Sequence, residues 1–183
     1  MKLDRLFLFI ALLLSAGLAS AQDGAGVYLG GALGQSRFKE WCDIPLASCK
    51  DTDTAWKLFG GYRFNRYVAA EGSYVDWGEA TASTASGAQA LARQHSYGLA
   101  AVGTLPLGER FELFGKAGFL MTEQETEARN VARPSVVSRD ETELHYGLGA
   151  RFLFTRNLGL RGEWENTDKL KVEMLSIGLE YRF

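Results

Sequence analysis

The 183-residue chain is short of several features that would narrow its chemistry. It has two cysteines and two histidines, and they form no metal constellation, phosphate loop or nucleophilic triad. Neither sign of charge dominates: 20 Lys+Arg face 22 Asp+Glu, for a net of −2. Neither nucleic acid nor an anionic surface is therefore an implied partner. After the first 21 residues no apolar run reaches the roughly 18 residues a membrane helix needs. Any crossing of a membrane must then be made by strands. There is no repeat beyond an alternation of hairpins and no low-complexity linker, and the length suits one domain. No cofactor is expected.

The amino-terminal end is apolar in a particular way. Met1 to Arg5 is a short charged head, with Asp4 mildly atypical there; Leu6 to Leu14 is unbroken and apolar, and small residues follow to Ala19-Ser20-Ala21. This reads as a secretory signal cut between Ala21 and Gln22, too short for a spanning helix. No cysteine follows the cut, so no lipid anchor is indicated. Removing Lys2, Asp4 and Arg5 leaves a mature chain, 22–183, with a net charge of −3.

The rest of the chain is dominated by period-2 alternation, the mark of a strand with one apolar face. Leu175, Ile177, Leu179, Tyr181 and Phe183 alternate with Ser176, Gly178, Glu180 and Arg182. Leu158, Leu160 and Trp164 alternate with Gly159, Arg161, Glu163 and Glu165. Leu144, Tyr146, Leu148, Ala150, Phe152 and Phe154 oppose His145, Gly147, Gly149 and Arg151; Phe111, Leu113, Ala117 and Phe119 oppose Glu112, Lys116 and Gly118, with Phe114 out of pattern. Tyr97 to Leu107, Val68 to Tyr74, Trp56 to Phe64 and a glycine-rich segment from Val27 to about Phe38 bring the count to eight strands of about 10–14 residues. Their connections alternate in length. Asn65-Arg66, Gly108-Glu109 and Arg156-Asn157 are tight turns, whereas 39–53, 79–94, 124–141 and a shorter stretch near 167–171 are loops. That asymmetry predicts an all-β, eight-stranded antiparallel up-and-down transmembrane barrel.

Parity alone does not say which face is inside, and a soluble ligand-holding barrel would turn its apolar face inward. The charged face here is rich in glycine (Gly61, Gly98, Gly118, Gly147, Gly149, Gly159, Gly178), which suits a narrow interior filled by long side chains. Aromatics gather near the strand ends of the other face, as two interfacial girdles require. The apolar face is therefore read as lipid-exposed.

These residues carry a resemblance. The carboxy-terminal alternation ending in Phe183 resembles the final strand of bacterial outer-membrane barrels, in which such an ending is read by the assembly machinery. Gly60 to Asn65 with Tyr67 to Gly78, Tyr28 to Gly34, Phe114 to Gly118, Tyr146 to Arg151 and Leu160 to Trp164 are similar, in order and spacing, to the strands of OmpA-type eight-stranded barrels. The resemblance covers the whole mature chain, which ends without the peptidoglycan-binding domain that often comes after such a barrel. It implies localisation in the outer membrane of a Gram-negative bacterium. It also implies lipid and lipopolysaccharide as surroundings, the barrel-assembly machinery and periplasmic chaperones as partners, and Leu179, Tyr181 and Phe183 as the assembly signal. Members of this family fill the lumen with an ion-pair network, and Glu71 and Arg161 stand where its central acid and base are expected. Lys57, Arg63, Lys116, Arg151, Glu112, Glu163 and Glu180 share their parity, giving five bases to four acids. Unpaired buried charge costs several kcal/mol, so such a lumen should be paired off and packed. Arg151 and Arg161 oppose each other across the Arg156-Asn157 turn, so at least one needs an acid from elsewhere, and Glu71 or Glu163 could supply it.

Cys42 and Cys49 both fall in the first loop, and in an exported chain an even pair reads as a disulfide. Some eight-stranded outer-membrane enzymes modify lipid A with a His and a Ser near the outer rim. His95 and Ser96 are neighbours, so on a strand they point to opposite faces. His145 points to the lumen, with Asp140, Glu141 and Glu143 near it in sequence but no nucleophile at useful spacing. The expected role is structural or surface-interacting, without chemistry, through loops such as 79–94 and 124–140. The alternatives are a narrow gated pore, which planar-bilayer conductance separates, and a lipid A-modifying enzyme, which a lipid A mass shift separates.

Overall fold

The computed structural model describes residues 24–39, 48–83, 89–129, 135–169 and 171–183. They form nine strands: β1 (Gly26–Phe38), β2 (Ser48–Lys50), β3 (Thr52–Arg63), β4 (Val68–Ser83), β5 (Gln89–Pro106), β6 (Phe111–Arg129), β7 (Ser135–Leu153), β8 (Leu158–Thr167) and β9 (Val172–Arg182). Eight of them close an antiparallel ring. Each pairs with its successor from β3 to β9, and β1 bonds both β3 and β9, so the two ends of the chain share one seam. The short β2 lies outside the ring and pairs only with the end of β4, Ser48 opposite Ser83. The barrel is closed as the alternation predicts.

Parity places the side chains as expected. Leu33, Leu58, Leu99, Phe119, Leu148 and Ile177 are exposed on the outside, Leu99 at 69 %. Lys57, Glu71, Lys116, Arg161 and Glu163 are buried within. This is a globular protein turned inside out, as an apolar solvent requires. Two bands of rings bound the apolar surface. Near the tight-turn rim Tyr62–Phe64, Phe152–Phe154 and Tyr181–Phe183 meet edge to face with centroids 5.5, 5.6 and 5.0 Å apart. Near the loop rim Trp56–Tyr74 and Tyr74–Tyr97 lie 5.2 Å apart, and Tyr146–Trp164 lie 6.1 Å apart. Rings with an apolar body and a polar edge suit both membrane interfaces.

The strand lengths differ from expectation. β1, β3, β8 and β9 have 13, 12, 10 and 11 residues, but β4, β5, β6 and β7 have 16, 18, 19 and 19. The stretches 79–94 and 124–141, expected as loops, are mostly the outer halves of these four strands, with register unbroken from Gln89↔Arg129 down to Pro106↔Glu112. Beyond the outer girdle the chain keeps its backbone ladder while its sequence loses the apolar alternation. From His95 to Gln89, at ~3.3 Å per residue, the sheet stands about 20 Å beyond the girdle.

Candidate functional site: a packed lumen and a protruding sheet

The lumen is layered. Closest to the tight turns, Glu112 meets Arg182 at 2.6 Å and both Arg63 and Arg151 at 3.4 Å. Glu180 meets Arg151 at 2.9 Å, Arg182 at 3.0 Å and Arg161 at 3.4 Å. In the next layer Arg161 grips Glu71 with both terminal nitrogens, at 2.6 and 3.0 Å, and the Tyr28 hydroxyl donates to the same carboxylate at 2.9 Å. Lys116 reaches Glu71 at 3.5 Å and Glu163 at 2.7 Å; Lys57 lies 2.5 Å from both Glu163 and Glu165; and Lys116 and His145 close on Glu165 at 2.5 and 3.0 Å. Every buried base thus faces at least one carboxylate, the condition for charge to survive away from water.

Arg151 and Arg161 are direct cross-strand partners, the like-charge clash that the sequence implied. Acids from other strands relieve it, Glu71 for Arg161 and Glu180 with Glu112 for Arg151. An aromatic helps as well. Phe114, the residue out of pattern on β6, points inward and lies beneath both guanidiniums, 4.2 Å from Arg151 and 4.4 Å from Arg161, with Phe59 4.2 Å from Arg161 on the other side. Room for these rings comes from opposing glycines: a Cβ on Gly149 would overlap the Phe114 ring, and one on Gly30 the Phe59 ring.

Toward the loop rim the charge gives way to an apolar plug of Phe38, Ala55, Val75, Trp77, Leu120, Val172 and Met174. Its centre, Trp77, is the extra residue of a β-bulge between Asp76↔His95 and Gly78↔Gln94. Gly78 takes φ +79° to make the bulge, which leaves Trp77 on the lumen side. Its indole N–H donates to Ser96 Oγ at 2.8 Å, and its carbonyl accepts from Ser36 Oγ at 2.5 Å. Beyond it Ser96 and Thr122 share a hydrogen bond of 2.6 Å, and Thr122 donates to Glu143 at 3.3 Å.

The sequence had placed Glu71, Arg161, Arg151, Glu163, Lys116 and Arg63 in the lumen, and all six are buried there together. It passed over Glu165, Glu143, Tyr28 and Arg182 as members of the set, although Glu165 stood on the charged face, and it gave no account of the plug. The available signal was apolar residues at charged-face parity: Val75, Leu120 and Met174. His95 faces outward, 2.9 Å from Glu123, and Ser96 faces inward, so the sheet separates them. His145 Nε2 meets Glu165 Oε1 at 3.0 Å. Leu179, Tyr181 and Phe183 are all exposed on the outer face, and the Phe183 amide donates to the Val27 carbonyl at 3.0 Å. Cys42, the Cys49 side chain and the cleavage site Ala21–Gln22 lie outside the described residues.

The protruding sheet has unequal edges. On one side β2 covers the end of β4. On the other, β8 pairs β7 only from His145 to Leu153, with the Leu144 carbonyl accepting from Asp168. Among the described residues no strand pairs the β7 segment from Ser135 to Glu143 on that side; the Lys169 ammonium donates to the Thr142 carbonyl at 3.0 Å. Alternation from Leu144 puts the N–H and C=O groups of Asp140, Ser138 and Val136 on this open edge.

An all-strand ring with a lipid-compatible exterior and a packed ionic interior defines an integral outer-membrane barrel. The chain belongs to the outer membrane protein beta-barrel domain family, whose profile matches residues 7–183, and it resides in the outer membrane of a Gram-negative bacterium. Among solved structures, Ail, the attachment invasion locus protein of Yersinia pestis, in complex with the heparin analogue sucrose octasulfate, is 22% identical with TM-score 0.60, covering 88% of this chain and all of Ail. Neisserial surface protein A is 15% identical, TM-score 0.61, over 88% and 100% of the two chains. The N-terminal barrel of Pseudomonas aeruginosa OprF is 16% identical, TM-score 0.59, over 86% and 97%. At these identities the likeness is one of fold. None of the curated protein sequences compared with the chain matches it.

Proposed function

We propose that the protein is a surface-interaction component of the outer membrane, engaging an extended segment of a partner along the open β7 edge, while its lumen is a structural plug that performs no chemistry. The observation that carries this is the second backbone edge of β7 from Ser135 to Asp140: the strand pairs β6 on one side, and among the described residues no strand pairs it on the other. An open edge is a template for strand addition, and exported proteins usually blunt such edges with Lys, Pro or short strands. Here the segment from Ser135 to Thr142 contains neither Lys nor Pro, though Pro134 stands just before it and Arg139, Asp140 and Glu141 lie within it, so its least charged part is Ser135 to Ser138. The names of two structural neighbours, an attachment protein and a surface protein, agree with such a role. We further assign Leu179, Tyr181 and Phe183 to assembly, residues 1–21 to a removed signal, and Cys42 and Cys49 to a disulfide that stiffens the first loop.

Liposomes carrying the refolded barrel and applied to cultured epithelial cells test the reading. Wild-type liposomes are expected to adhere, and Ser138→Pro to lose adhesion, because proline deletes an edge N–H while leaving the β6 ladder intact. Adhesion unchanged by Ser138→Pro, or absent in the wild type, would contradict the role given to this edge.

A further inference from the structure

The two faces of the protruding sheet differ in charge. On the outer face Asp76, His95 and Glu123 are direct cross-strand partners, and the same row continues to Asp140 on β7. One step higher Glu79, Arg93 and Glu125 stand in line, and the row ends at Ser138. Alternation along β6 adds Glu127 and Arg129 to this face. Six acids of β4 to β7 therefore share it with two arginines and His95. Arg93 and His95 are already engaged, Arg93 2.5 Å from Glu79 and His95 2.9 Å from Glu123. The inner face of the same strands is different. Above the plug Gln94, Gln124 and Arg139 form one row, and Ser96, Thr122 and Glu141 another, so its charges are one of each sign.

That asymmetry falls on the β7 edge in a defined way. Along an antiparallel strand the backbone groups and the faces alternate together. Leu144 is exposed on the outer face, and its carbonyl accepts from Asp168 on the β8 side. The residues whose N–H and C=O groups point to the open side, Val136, Ser138 and Asp140, therefore belong to the outer, acidic face. A strand added there sets every second residue in the rows of Asp140 with Glu123 and of Ser138 with Glu125, and the alternate ones in the rows of Arg139 and Val137. Opposite charge across a ladder is favourable and like charge is not, so the first set selects Lys or Arg. The Lys169 ammonium on the Thr142 carbonyl marks the lower end of the run. From Val136 to Asp140 is about 13 Å, room for roughly five residues in the ladder.

Given the edge docking proposed above, we infer that the segment taken up by β7 is an extended basic one, with Lys or Arg at every second position and uncharged residues between. A second copy of this chain does not fit the same edge. Two β7 strands paired about a two-fold axis would continue one acidic face into another, like charge beside like. The acids thus guard the edge against self-association while leaving it open to a strand of opposite sign.

Short fluorescent peptides titrated against the refolded protein in uncharged detergent test this. One alternates lysine with threonine and valine, a second has the same residues with its lysines in one block, and two more carry glutamate or serine in place of each alternating lysine. The alternating lysine peptide is expected to bind about tenfold more tightly than the blocked or the serine peptide, and the glutamate peptide least of all. The blocked peptide has the same charge, so equal affinity of the two lysine peptides would show attraction without strand register and overturn the inference. Asp140→Asn with Glu125→Gln is expected to bring the alternating lysine peptide to within about threefold of the serine peptide; a full preference surviving in that variant would overturn it too. Heat-dependent electrophoretic mobility checks that each variant is folded, and the peptide series on the wild type stands without them. Ser138→Pro is expected to abolish binding of every peptide. Serine and alternating lysine peptides that bind the wild type equally, and are both lost in Ser138→Pro, would refute the basic preference and leave the edge docking standing. Alternating lysine peptide still bound by Ser138→Pro, or no peptide bound by the wild type, would refute the edge docking itself and this inference with it.

Discussion

Between the girdles, each ring strand is bonded on both sides and each buried base meets a carboxylate. Beyond the outer girdle the same strands continue, but among the described residues no strand pairs β7 on its second side. The two halves share one ladder and differ in what their side chains must satisfy. Inside lipid, closure is compulsory, because an unpaired amide costs several kcal/mol. Outside, water satisfies the edge, and an open strand becomes tolerable and available to a partner. Stability therefore belongs to the lumen, and the recognition proposed above to the protruding sheet.

That division can be broken by mutation. The largest effect is expected at Glu165, whose carboxylate serves Lys57, Lys116 and His145 at once. Glu165→Ala leaves two ammonium groups short of a partner and should cost ~3–5 kcal/mol in urea unfolding of the refolded protein in detergent. Glu71→Ala should fall in the same range. Combined with Arg161→Ala it should cost less than the sum of the singles, but the coupling will be incomplete, because Arg161 also holds Glu163 and Glu180 and Lys116 also holds Glu71. Additive effects would show that Glu71 and Arg161 act independently. Trp77→Ala empties the centre of the plug and should cost about 3 kcal/mol by the same assay. A negligible change would mean that the plug contributes nothing to the lumen. Phe114→Leu keeps the bulk but removes the ring beneath Arg151 and Arg161, and should cost roughly 1–2 kcal/mol. The smallest effects belong to the protruding half. Glu123→Ala, on the outer face opposite His95, should cost ~0–1 kcal/mol, and Ser138→Pro should likewise leave unfolding within ~1 kcal/mol of wild type. A large loss in either would show that the protruding sheet is part of the stabilising core.

Much of the lower barrel was legible because lipid imposes a strict rule. Every second residue must be apolar, and charge must go to the other face. That rule gave the strand count, the tight turns, the inward placing of Glu71 and Arg161, and the crowding of Arg151 against Arg161. It fails where lipid ends. Residues 79–94 and 124–141 are polar on both faces, as a sheet in water is free to be, so they read as loops although they are strands. It fails also at Trp77, where one bulge residue shifts the parity of the rest of β4. The apolar plug escaped notice because Val75, Leu120 and Met174 occupy inward positions that were read only for their charges. Glu165 was visible on the charged face, but only the cross-barrel approach of Lys57 and Lys116, from strands distant in sequence, shows that it is a hub.

The division of labour rests on the open edge of β7, and amide hydrogen exchange resolved residue by residue by NMR on the refolded protein tests it most directly. The account predicts an alternation beyond the outer girdle: Val136, Ser138 and Asp140 exchange rapidly, while Val137, Arg139 and Glu141, bonded to β6, are protected. Uniform protection from 136 to 141 would mean that the edge is covered, and uniformly rapid exchange that no sheet stands there; either result would contradict the account.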